Sequence, residues 1–77
     1  MIYILEQNRE FITAVNSAIR INKHDKREII VREGGIYRLL GAYETPERAK
    51  KVVQDMWDEI KYWEYYSKCI YFEMPKE

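Results

Sequence analysis

The stretch Leu40-Gly41-Ala42-Tyr43-Glu44-Thr45-Pro46-Glu47-Arg48-Ala49-Lys50-Lys51-Val52 decides the fold, because a strand pattern ends in it and a helix pattern begins. Thr45 suits the N-cap, where a hydroxyl satisfies a main-chain N–H of the first turn. Pro46 fits the first helical position, which needs no N–H donor. Glu47 complements the helix dipole. Arg48 stands where the glutamate of a capping box would be, so the box is incomplete. Downstream, Ala49, Val52, Val53, Met56, Trp57, Ile60 and Trp63 recur at offsets of three and four. That spacing predicts one amphipathic helix over about 46–67, its apolar stripe covering a sheet face. Ser67-Lys68 reads as its end, and a short last strand over about 69–73 follows, closed by Met74-Pro75.

Upstream, the pattern switches to alternation and frequent breaks. Strands are expected over Ile2–Gln7, Phe11–Val15, Ala18–Asn22, Glu28–Glu33 and Ile36–Tyr43. Gly34-Gly35 marks a tight hairpin, since glycine reaches positive φ without steric cost. Lys23 to Arg27 reads as a charged turn. The fold class is therefore α+β. It combines an antiparallel meander of four to five short strands, over about 2–43, with one long amphipathic C-terminal helix and the short last strand. The whole chain, 1–77, reads as one domain. One helix covers one sheet face only, and Ile30 and Leu40 are expected on the other. That face is closed by curvature and the last strand, or by another copy.

A chain of 77 residues has a marginal core, burying about 60% of its unfolded surface. Small domains gain stability from disulfides, metals or association. Cys69 and His24 are the sole cysteine and histidine, which excludes an internal disulfide and a His/Cys zinc cluster within one chain. Association remains, and a content of 47% apolar and 14% aromatic residues favours it. The expected state is a homo-oligomer. No metal or cofactor is expected.

Thirteen basic residues balance thirteen acidic ones, which argues against general nucleic-acid binding. The balance is uneven: residues 1–43 carry seven Lys/Arg and five Asp/Glu, whereas residues 44–77 carry six and eight. No signal peptide or membrane span is read, because the apolar start Met1–Leu5 stops at Glu6. A lone cysteine points to a cytoplasmic location.

Catalysis finds no foothold. Nucleophilic chemistry needs a nucleophile, a base and an orienting group together, and His24 sits in a charged turn beside Asp25. The carboxylates Asp55, Asp58 and Glu59 share an outward helix face, not a cleft. The phosphate-loop, dinucleotide and Cys-x-x-Cys motifs are missing from the sequence. The chain reads as a non-enzyme.

The segment Leu40–Val52 resembles a group of small, largely uncharacterised proteins from Firmicutes and their phages. In these a few short strands run into a G-x-Y-x-[ST]-x-E-R-A-K helix start, and the chain ends near a Met-Pro. Gln7–Phe11 and Met74-Pro75 fit the same pattern. The aromatic cluster Tyr62–Tyr66 departs from it. The resemblance implies a phage or mobile-element accessory setting, in the host cytoplasm, and anti-defence factors that act by binding.

Two features carry the binding expectation. Tyr62, Tyr65 and Tyr66 lie off the core stripe. Three readings stand open for them: self-association or partner contact, ligand stacking, and packing on the chain's own last strand. Arg48, Lys50 and Lys51 occupy the first helical turns, where free N–H groups attract anions. Their alternative is solvation or pairing with Glu44 and Glu47. The resulting expectation is an oligomeric binding protein that sequesters a phosphorylated signalling nucleotide. Tyrosine would stack on the base, with Arg48, Lys51 and either Arg20 or Arg38 on the phosphates. The alternatives are an inhibitor docked on a host defence protein, or a structural interaction subunit without ligand.

Overall fold

Each break in the alternation becomes a turn in the computed structural model, which describes residues 1–66 and 69–77. Among the described residues the order is β1 (Ile2–Leu5), β2 (Ile12–Val15), β3 (Ile19–Ile21), β4 (Glu28–Glu33), β5 (Ile36–Ala42), α1 (Pro46–Tyr66) and β6 (Ile70–Glu73). The α+β class stands, as do the five strands and the helix start. The expected helix end at Ser67-Lys68 lies outside the described residues.

The strands divide into two three-stranded sheets, ordered β2-β1-β6 and β3-β4-β5. All neighbours are antiparallel except β1 and β6, which run parallel, Ile2 opposite Ile70 and Leu5 opposite Glu73. A parallel partner needs a long crossover, and α1 supplies it. The last strand therefore joins its own chain. The turn residues have the required chemistry. Gly34 and Gly35 have φ of 55° and 84°, as a two-residue hairpin demands. Arg9 takes φ 64° in the β1–β2 turn, where its N–H donates to the Glu6 carbonyl at 2.9 Å.

The sheets are joined where β1 runs out. The Gln7 N–H donates to the Leu40 carbonyl at 2.9 Å, and Gln7 Oε1 accepts the Ala42 N–H at 2.7 Å. Beside this seam Glu6, 2% exposed, accepts hydrogen bonds from Arg38 and, at 2.6 Å, from the Thr13 hydroxyl. One buried carboxylate thus ties together β1, β2 and β5. Its hydrogen bond holds the Arg38 guanidinium above its ordinary pKa.

The core lies between the two sheets and α1. It contains Ile4, Val15, Ile29, Val31, Leu40, Tyr43, Ala49, Val52, Met56 and Met74. Leu40 is in this core, not on the uncovered face. A β-bulge sets Ile29 opposite Gly41 and Ile30 opposite Leu39, so the alternation slips at Leu40 and turns it inward. Ile30 does lie on the outer face.

A second correction concerns the helical stripe. Ala49, Val52 and Met56 are buried, but Trp57 is 54% and Trp63 41% exposed. Twenty-one residues of helix run about 31 Å at 1.5 Å per residue. A four-residue strand runs about 13 Å. The helix thus outreaches the sheets it covers.

Candidate functional site

The residues singled out from the sequence do not converge on one site. Arg38 is engaged by Glu6, and its guanidinium lies 4.4 Å from the Phe11 ring centre. Arg48 turns back to the C-terminal segment: its Nε and Nη2 donate to the main-chain oxygen of Glu77 at 3.0 and 2.7 Å. Lys51 donates to Asp55 one turn on at 2.7 Å, and that bond raises the lysine's pKa. Arg48 and Lys51 are thus held by the chain's own oxygens.

Tyr62, Tyr65 and Tyr66 do form a cluster. Tyr62 meets Tyr66 with ring centres 5.3 Å apart, Tyr65 meets Tyr66 at 5.1 Å, and Tyr62 meets Trp63 edge-on at 4.9 Å. Their exposures are 59, 86 and 67% for Tyr62, Tyr65 and Tyr66. Rings this open are not packed on the chain's own last strand, which removes one of the three readings. Trp63 and Tyr71 share the lining of a cleft of about 300 Å³ beside Cys69 and Ile70. Tyr71 in turn stacks on Tyr3 at 5.6 Å. The aromatic surface therefore continues from the helix end onto the outer face of β2-β1-β6. The register puts Tyr3, Leu5, Ile12, Ala14, Tyr71 and Glu73 on that face, and among the described residues no helix covers it.

Arg20 sits elsewhere, on the outer face of β3-β4-β5. Its Nη2 donates to the Tyr37 hydroxyl at 2.6 Å. The guanidinium carbons of Arg20 and Arg32 stand 5.1 and 5.8 Å from the Tyr37 ring centre. Two clefts flank this group. One, of about 360 Å³, is lined by Ser17, Arg20, Arg32, Gly34, Gly35 and Tyr37 among others. The other, of about 450 Å³, includes Asn22, Lys23, His24, Ile30 and Leu39. Tyr37 and Arg32 were missed from sequence. Their signal was the cross-strand register around Gly34-Gly35, which sets Arg32 opposite Tyr37.

The remaining candidates are accounted for locally. His24 is exposed, its N–H donating to Asn22 Oδ1 at 3.0 Å. Arg27 forks onto Asp25 with both contacts at 3.0 Å. That hydrogen bonding draws the Asp25 carboxyl below its ordinary range. No cluster of three His, Cys, Asp or Glu side chains suited to a metal occurs among the described residues. No helix among them is long and apolar enough to cross a membrane. Comparison with family models, with curated proteins and with solved structures finds no match to this chain.

Proposed function

We propose that the chain is a non-enzymatic binding protein that works as a homo-oligomer. Its copies join through the aromatic surface running from the last turns of α1 onto β6. One observation carries this: Tyr62, Tyr65, Tyr66 and Tyr71 are all more than half exposed and form one surface with Trp63. Contiguous apolar patches of this kind are rare on monomers. Tyrosine and tryptophan dominate interface cores because they bury large area with few rotors to freeze. A second copy presents the same rings, so a two-fold contact is self-complementary. The phage accessory setting, the sequestration of a target by binding, and a cytoplasmic location belong to this proposal.

Sedimentation velocity from about 1 to 100 μM, spanning weak to firm association, tests it. An oligomer whose population grows with concentration is expected. The Tyr65→Ser, Tyr66→Ser double variant should weaken association by at least about tenfold, the scale of interface hot spots. A monomer throughout that range overturns the proposal.

A further inference from the structure

We propose that the outer face of β3-β4-β5 binds a nucleoside phosphate, the phosphate between Arg20 and Arg32 and the base on Leu39 beside Tyr37. The site is separate from the aromatic end of α1.

Arg27 and Arg38 hold carboxylates, and Arg48 holds the Glu77 main-chain oxygen. Among the described residues, neither Arg20 nor Arg32 has a carboxylate within 4.0 Å. Both gather instead at one tyrosine ring. An anion beside that ring is attracted by both guanidiniums, which stand 5.1 and 5.8 Å from the ring centre. Guanidinium forks match phosphate oxygens in a charge-assisted, two-bond geometry.

Shape supplies the rest. The cleft holding Arg20 and Arg32 has no acidic residue in its lining, and Ser17 adds a hydroxyl. Its rim is Gly34-Gly35, where even a Cβ would meet nothing within 4 Å. Backbone thus borders the anion position with no side chain in the way. Across Tyr37 lies the second cleft, where Leu39, 47% exposed, forms an apolar floor over the buried Ile30. Its carboxylate, Glu28, already accepts from Asn22 Nδ2 at 2.9 Å. A bare phosphate has no use for that floor, but a base does. Bases stack on aromatic rings and guanidinium planes irrespective of sequence. Both clefts reach the size of small-molecule sites, from about 300 Å³ upward.

Calorimetric titration of the full chain tests this with adenosine diphosphate, adenosine, inorganic pyrophosphate and a short single-stranded oligothymidylate. Adenosine diphosphate or the oligonucleotide is expected to bind with Kd below about 1 mM. Adenosine and pyrophosphate should each bind at least about tenfold more weakly than the better of these two. Binding by the mononucleotide alone identifies a free nucleotide as the source, and binding by the oligonucleotide alone identifies a single strand. Arg20→Ala and Arg32→Ala should each weaken binding at least about tenfold, and Arg27→Ala by less than about twofold. Circular dichroism checks that each variant is folded. The proposal is overturned if neither nucleotide probe binds, if pyrophosphate binds as tightly as both, or if binding survives the Arg20→Ala, Arg32→Ala double variant. The Tyr65→Ser, Tyr66→Ser variant should bind the same probe unchanged, so failure of assembly and failure of this site are read separately.

Discussion

At Gly41 a hydrogen stands where any other residue would strike Tyr43. A Cβ there would lie 2.9 Å from the Tyr43 hydroxyl oxygen and 3.1 Å from Cε2. The ring has little room to retreat, being 5% exposed and donating its hydroxyl to the Pro75 carbonyl at 2.8 Å. Gly41→Ala should therefore cost about 1–3 kcal/mol, the usual penalty of overpacking, read as a lower urea midpoint. The same burial makes Tyr43 a pH-sensitive group. Desolvation of the phenolate raises its pKa, outweighing the opposite pull of Arg48 and Arg9. A folded pKa above the unfolded one means this contribution is complete below about pH 10, the unfolded value. It is lost as the pH rises through the folded value. Urea midpoints should fall above that pH, and less steeply in Tyr43→Phe.

The helix is an element of two halves. Its first half is capped and buried: the Arg48 N–H donates to Thr45 Oγ1 at 3.1 Å, and Ala49, Val52 and Met56 enter the core. Its second half, from Trp57 on, is exposed except at Ile60, and the Trp63 indole N–H donates to Glu59 one turn back at 2.8 Å. Thermal and urea melts should separate the halves. Thr45→Ala is expected to cost about 1 kcal/mol, the value of an N-cap. Tyr65→Ser, at 86% exposure, should change monomer stability by less than about 0.5 kcal/mol. Thr45-Pro46-Glu47 announced the start because capping is decided within one turn. The spacing of Trp57 and Trp63 promised burial that the short strands do not reach. Periodicity reports which residues share a face, not how far the opposing surface extends.

The whole molecule is closed by its C-terminal segment. Past β6, Met74 is fully buried, and its N–H donates to the Leu5 carbonyl at 3.0 Å. Pro75, Lys76 and Glu77 then accept hydrogen bonds from Tyr43, Gln7 and Arg48. Residues from 29 to 69 positions apart in sequence thus seal one end of the core. Met74→Ala should cost about 2–5 kcal/mol, the range for a methionine truncated in a packed core, measured by equilibrium urea unfolding. A comparable change at a merely tethered tail would be silent.

The approximate places of the strands, the glycine hairpin and the capped helix start were determined by the sequence itself, because alternation, turn chemistry and capping each show within a few residues. So was the α+β class, which follows from the order of those elements. Tertiary structure alone decided the division into two sheets and the parallel place of β6, since parallel pairing depends on where a crossover lands. It also decided which groups meet the arginines of the sheets and the helix start. Folding brings Glu6 to Arg38 and Glu77 to Arg48, 32 and 29 positions away, whereas Lys51 finds Asp55 one helical turn on. Arg20 and Arg32, twelve residues apart, are brought instead to Tyr37 without a carboxylate. Charge is written in the sequence, but its partner is set by distance in space.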